Sequence, residues 1–312
     1  MWPTLLALVL RSYLSALEHT GIVLWVALGT LILNIGVNYI LIFGNLGAPE
    51  LGLKGAAVAS LAVAITSFAT FVWYIQHHFA DHDLFARFWR VDTAALGQLV
   101  RMAVPISATA LAESGLFAAS ALMMGAMGII ALASHGIVLQ LAALTFMVHM
   151  GLSQAATVRS GQAFARGDGP ALHITAGAAM VLSGAVSCVV ILGFLGIPET
   201  FVLVFLDQTD PKAADILALG VILLAIAAAF QFVDGAQVMG LGVLRGMQDT
   251  KIPMVMACIA YWIVGAPIGY ILGFHTDLGP AGVWCGLVVG LALAAVLLWA
   301  RFWQFQRKAY GL

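Results

Sequence analysis

Residues 213–243 read AADILALGVILLAIAAAFQFVDGAQVMGLGV, a run whose charged side chains are Asp215, near its start, and Asp234. About 20 such residues are enough to carry a helix across the ~30 Å hydrocarbon core of a bilayer. The run has none of the period-two alternation of a barrel strand, so it reads as a membrane-spanning helix. Working outward, similar apolar runs fall at 3–17, 21–43, 54–77, 96–122, 127–155, 171–197, 252–274 and 281–305. The breaks between them carry Gly, Pro, Asp and Arg, the residues that end helices. The expectation is an all-α polytopic membrane protein of about nine helices. The first is short, because it reaches Arg11 before it could cross.

Composition agrees. Of 312 residues 62% are hydrophobic and 9% charged, with a mean hydropathy of +1.04. A soluble domain carries about 25% charged residues and could not cover so much apolar surface. A cytosolic enzyme, a secreted domain and a nucleic-acid binder are therefore excluded. The net charge of −1 offers a polyanion nothing to grip. Cys188, Cys258 and Cys285 lie singly in apolar runs and suggest packing rather than a disulfide framework or a metal cluster. No phosphate loop or nucleophile–base pair appears, so neither ATP-driven transport nor enzymatic chemistry is expected, and no cofactor is implied.

Lysine and arginine orient the spans, since cytoplasmic loops retain them. One set of connections holds Arg11, Arg87, Arg90, Arg101, Arg159, Arg166, Arg245, Lys251, Arg301, Arg307 and Lys308; the opposite set holds Lys54 and Lys212. The bias places the C-terminus in the cytoplasm, together with the loops near 18–22, 78–95, 158–170 and 244–251. The longest polar stretch, around 81–95, reads as a cytoplasmic linker. It separates a first bundle over 1–80 from a second, six-span bundle over 96–312. The plasma (inner) membrane is the expected location.

The chain also repeats itself. Leu10-Arg11 matches Leu244-Arg245, and Thr20 matches Thr250. Tyr39-Ile40-Leu41 matches Tyr270-Ile271-Leu272, and Leu51-Gly52 with Gly55 matches Leu278-Gly279 with Gly282. The repeat unit is roughly 230 residues, and internal repeats are the usual architecture of secondary transporters. By the same offset a complete two-copy protein would carry roughly 140 more residues before Met1, so the chain is expected to be truncated at its N-terminus.

Of fourteen acids, two sit deep in apolar spans: Glu113, in PISATALAESGLFAAS, and Asp234. A mid-membrane carboxylate is costly by at least ~2.5–3.5 kcal/mol, and such residues commonly mark ion pathways. No Lys or Arg is expected at their depth, which leaves no structural ion pair. A buried carboxyl readily takes up a proton, and left ionised it can hold Na⁺. Gln231 and Gln237 lie one turn to either side of Asp234, with Phe230 four residues before it. These residues either line a cavity suited to amphipathic cations or hydrogen-bond neighbouring helices. His135 and His149 share a span with Gln140 between them, as proton carriers or as packing residues. Met123, Met124 and Met127 form either an adaptable wall for ligands or plain packing. Pro105 and Pro267 fall within spans and are expected to kink them.

The stretches LRSYLSALEHT (10–20), LNIGVNYILIFGNLGAPELGLKGAAVAS (33–60), SHGIVLQLAALTFMVHMGLSQAATVR (134–159), FQFVDGAQVMGLGVLRGMQDTKIPM (230–254) and YWIVGAPIGYILG (261–273) resemble the multidrug and toxic compound extrusion (MATE) transporters, in their NorM-like branch. The resemblance runs through nearly the whole chain. It implies twelve helices in two six-helix lobes, of which this chain supplies the complete second lobe and the last part of the first. It also implies that Glu113 and Asp234 form a cation-coupling site. Phe230 stands where many family members have a tyrosine, which removes a hydroxyl and puts Na⁺ binding in question. His135-Gly136 replaces a His-Gln pair, and His149 replaces a common proline. The function implied is antiport: export of amphipathic or cationic drugs in exchange for H⁺ or Na⁺. Its setting is the lipid bilayer, as a monomer. The competing readings are a truncated remnant that no longer transports and a lipid-linked oligosaccharide flippase of the same superfamily.

Overall fold

A computed structural model describes residues 2–47, 49–79 and 92–310. Every regular element in those residues is helical. The chain divides into two compact units, Met1–Asp92 and Thr93–Leu312.

In the first unit, α1 (Trp2–Ala16), α2 (Thr20–Phe43) and α3 (Leu53–His78) are joined by short turns, one of them a 3₁₀ turn at Asn45–Gly47. Leu10, Leu14, Val26, Phe71 and Ile75 make the small core. The 15 residues of α1 span roughly 22 Å at 1.5 Å per residue, short of the hydrocarbon thickness. Much of α2 is apolar and exposed, Trp25 and Ile32 among its residues, as a lipid-facing helix would be.

The second unit holds α4 (Thr93–Met127), α5 (Ile129–Ala165), α6 (Gly169–Gly196), the short α7 (Pro198–Leu203) and α8 (Ala213–Gly246). It continues through α9 (Lys251–Cys258), a π-helical segment (Ile259–Gly265), α10 (Ala266–Phe274) and α11 (Pro280–Tyr310). Residues Lys251–Phe274 form one continuous 24-residue apolar span. Eight helical segments among the described residues are long and apolar enough to cross a membrane, six of them in this unit.

Two expectations shift. The fifth span was expected to end at 155 but runs to Ala165, so Arg159 lies on a helix and the following turn shrinks to Arg166–Asp168. The extension is held by α8: Thr157 Oγ1 donates to the Gly242 carbonyl at 2.9 Å and Ser160 Oγ to that of Val243 at 3.2 Å. Most of the expected linker, 81–91 with Arg87 and Arg90, lies outside the described residues, and residues 93–95 already belong to α4.

Small residues set how closely the helices approach. With no hydrophobic drive between helices in lipid, close packing and interhelical hydrogen bonds hold a bundle together. Gly242 and Gly246 of α8 lie against Ser153, Thr157 and Ser160 of α5, where a β-carbon would collide with backbone. Gly265, Gly269, Gly282, Gly286 and Gly290 bring α10 and α11 backbone to backbone in the same way. Central α8 packs on α5, α6 and α11, which is why its apolar residues face every direction.

The repeat is written in backbone geometry. Gly52 and Gly279 hold φ of 52° and 53°. A β-carbon on Gly55 would meet the Leu41 carbonyl, and one on Gly282 would meet that of Leu272, the residue matched to Leu41. Non-glycine residues Glu18 and Gln248 both adopt left-handed backbone, with φ of 64° and 61°. Each closes the same helix-ending motif. The amide of Glu18 donates to the Ser15 carbonyl and that of His19 to Leu14; Gln248 donates to Arg245 and Asp249 to Leu244. This aligns Leu14, not Leu10, with Leu244. The Leu10-Arg11 match is thus out of register by one helical turn, because turn geometry rather than residue identity fixes the alignment.

Candidate functional site

Asp234 sits in the middle of α8, and its neighbours on the helix are buried with it. It is 2% exposed, and its Oδ1 has no hydrogen-bond partner among the described residues. Native structures pair the great majority of buried polar atoms, so an orphan acceptor here needs a reason. Glu113, half-buried on α4, lies within Coulombic reach of Asp234. The two acids chosen from sequence therefore lie on different helices, each within reach of the other's charge.

Two further residues meet them that the sequence reading did not select. Tyr261, fully buried in the π-helical segment, lies in the electrostatic field of Glu113, Asp234 and Arg245. Its hydroxyl accepts a hydrogen bond from Gln237 Nε2 at 2.6 Å. Arg245, in the last turn of α8, is half-buried and its charge acts on Glu113. Among the described residues it makes no ion pair with either acid, and its influence on Glu113 is through space. A long arginine stem carries its guanidinium well away from its own Cα, so position in sequence understates its reach.

The π-helical segment has a local cause. Proline lacks an N–H and its ring clashes with the carbonyl four residues back. Pro267 follows the segment, and there the amide of Ala266 bonds the Tyr261 carbonyl, the i−5 pattern of a π-turn. The strain expected of Pro267 as a kink is thus met by widening one turn, and that turn carries Tyr261. Pro105, by contrast, is absorbed within an unbroken α4.

The remaining candidates divide. Phe230, 2% exposed, contacts Phe117 and Trp284 edge-to-face at centroid distances of 6.0 and 5.6 Å. Trp284 in turn meets His135 at 5.7 Å, and His135 Nε2 is 3.5 Å from Ser120 Oγ. These rings fill the space one turn from Asp234. Gln231 and Gln237 point to different neighbours: Gln231 Nε2 donates to the Ala142 carbonyl of α5 at 3.2 Å, while Gln237 turns to Tyr261. Gln140 lies on the exposed face of α5, away from His135 and His149 on its buried face. Met124 is wholly buried in the core cluster, with Met123 and Met127 packed on it. His149 Nδ1 is 3.1 Å from Ser183 Oγ, and its ring closes on Gly235. No group of three potential metal ligands occurs among the described residues.

At one end of the unit Arg101, Asp249 and Lys251 line a hollow of about 520 Å³, and Arg301 pairs with Asp249 at 2.9 Å. Three of the residues used for orientation, Arg101, Lys251 and Arg301, thus gather at a common end.

The family model MatE matches residues 105–271. The chain is 45% identical over 310 residues to a protein of Rhizobium meliloti (strain 1021) described as a probable multidrug resistance protein NorM, covering 99% of this chain and 66% of the relative. A similarly described protein of Agrobacterium fabrum (strain C58 / ATCC 33970) is 44% identical, with 96% and 65% covered. The chain thus spans about two thirds of the length of these relatives. Among solved structures it resembles the eukaryotic MATE transporter AtDTX14, with a TM-score of 0.78, 19% identity and 95% of this chain covered against 66% of that one. It also resembles an outward-facing multidrug resistance MATE transporter, with a TM-score of 0.73, 21% identity and 88% against 61% covered.

Proposed function

The chain belongs to the MatE family of membrane transporters, and from that premise we propose that it works as a cation-coupled multidrug exporter with Glu113 and Asp234 as the coupling pair. The observation that carries this reading is the orphan Oδ1 of Asp234, buried beside a second acid from another helix. Two carboxyls in one apolar place repel when both are charged, so a proton or Na⁺ arriving there is strongly held. Cation entry from outside neutralises the pair and weakens the site for an organic cation, which leaves. Release of the coupling ion to the cytoplasm restores the negative charge and the affinity. The substrates are amphipathic organic cations, suited to a site that pairs acids with Phe230 and its aromatic neighbours. The protein lies in the plasma membrane with its C-terminus cytoplasmic, a reading supported by the cationic end of the second unit.

The test is export from cells that lack other efflux pumps, with the protein expressed from its own gene. Asp234→Asn is expected to abolish gradient-driven extrusion of a fluorescent organic cation while the protein still reaches the membrane. Imposed pH and Na⁺ gradients, applied separately, identify the coupling ion. Unchanged extrusion by the Asn variant overturns the proposal.

A further inference from the structure

Near Asp234, α8 offers two amides and the Phe230 ring but no hydroxyl. The structure supplies one from elsewhere. Tyr261 reaches the place from the π-helical segment, its ring 0% exposed and its oxygen fixed by the Gln237 amide at 2.6 Å. A phenol oxygen carries two lone pairs. Gln237 uses one of them and leaves the other free. Asp234 Oδ1, in the same field, is a buried acceptor with no donor. A phenol oxygen with a free lone pair and a carboxylate oxygen with no donor, within one electrostatic neighbourhood of a membrane interior, are the acceptors that a small cation or a proton requires.

We propose that Tyr261 is the hydroxyl-bearing member of the cation site and that Gln237, one turn from Asp234 on α8, is the positioning residue that holds it. This rests on the reading of Glu113 and Asp234 as the coupling pair. The charged and titratable groups whose fields reach Tyr261 are Glu113 from α4, Asp234 and Arg245 from α8, and Cys258 from α9. A π-turn is a common device for aiming a side chain at a functional site. Here the turn forced before Pro267 carries the tyrosine.

The experiment needs no knowledge of the drug. Purified protein in detergent is titrated with Na⁺ at fixed pH and, separately, with acid in Na⁺-free buffer. Binding is read as the shift in unfolding temperature that a bound ion confers. Wild-type protein is expected to respond to at least one ion, and Asp234→Asn to lose that response. Tyr261→Phe, which removes a single oxygen and with it the acceptor of the Gln237 amide, is expected to lower the ion-free unfolding temperature, so each variant's response is read from its own ion-free value. The midpoint of the response moves by about tenfold in ion concentration, the worth of one hydrogen bond to a charged group. For Na⁺ the midpoint moves to higher concentration. Gln237→Leu is expected to move it in the same sense.

An unchanged midpoint in Tyr261→Phe, with the response still lost in Asp234→Asn, overturns the role of Tyr261 and leaves the coupling pair standing. A response that survives in Asp234→Asn, or is absent from wild type, overturns the coupling pair and this inference with it.

Discussion

Gly286 sits where α10 and α11 come closest. A β-carbon built on it meets the Cα and N of Gly269 and, at 2.9 Å, the Gly265 carbonyl oxygen. All are backbone atoms, so no side chain can swing aside. On Gly290 the nearest atom is Gly265 Cα at 2.9 Å. Ordinary carbon contacts begin near 3.5 Å, so Gly290→Ala requires about 0.6 Å of separation and Gly286→Ala clearly more. Overpacking of this kind typically costs about 1–3 kcal/mol, offset by the roughly 0.5–1 kcal/mol that alanine gains over glycine inside a helix. At about 2–4 °C per kcal/mol, Gly286→Ala is expected to lower the unfolding temperature by about 4–8 °C, and Gly290→Ala by less. Gly177 of α6 provides the control, because nothing lies within 4 Å of its added carbon. There the propensity gain acts alone, and the alanine variant should be neutral or slightly stabilised. The assay is thermal unfolding of purified protein followed by tryptophan fluorescence. Equal shifts for Gly286→Ala and Gly177→Ala would refute the argument that backbone approach, rather than helix propensity, sets the glycine positions.

Two further outcomes follow from the turns and loops. Gln248 adopts left-handed backbone at φ 61° with its side chain exposed, so Gln248→Gly removes strain of about 1 kcal/mol and should raise the unfolding temperature slightly; a lowered temperature would count against the strain. In the loop before α8, hydrogen bonds from Thr209 Oγ1 and the Thr209 amide hold the Asp207 carboxyl below its ordinary range. A depressed carboxyl contributes stability above its unfolded-state value and loses it as pH falls through the folded-state value. Thr209→Val should therefore raise the Asp207 midpoint in an NMR titration, and an unmoved midpoint would show the hydroxyl bond to be idle.

Much of the fold is legible in the sequence because a bilayer imposes one dominant rule, that backbone groups in hydrocarbon be satisfied within the element. Length and hydropathy then place each span to within a few residues. The exception, the ten-residue extension of the fifth span to Ala165, is informative: residues 156–165 are polar enough to read as a loop, yet Thr157 and Ser160 find their acceptors on α8. Hydropathy sees their polarity and not their partners. Glu113 and Asp234 stand out for the same reason that makes them costly, since few acids are tolerated at depth. Arg245 and Tyr261 do not, because arginine near a span end and tyrosine in a membrane helix are both ordinary.

The sequence by itself determined that this chain is a bundle of membrane-spanning helices, built on a repeat of roughly 230 residues, with two acids set deep in its second half. These are properties of single segments, governed by transfer from water to lipid. The tertiary structure decided which acid meets which partner: that Gln231 turns to α5 and Gln237 to Tyr261, that Arg245 reaches Glu113, and that the repeat aligns on Leu14 rather than Leu10. It decided them because side-chain partnership depends on rotation about the helix axis and on distances between helices. Those are fixed by glycine contacts and by one π-turn before Pro267, which no single segment records.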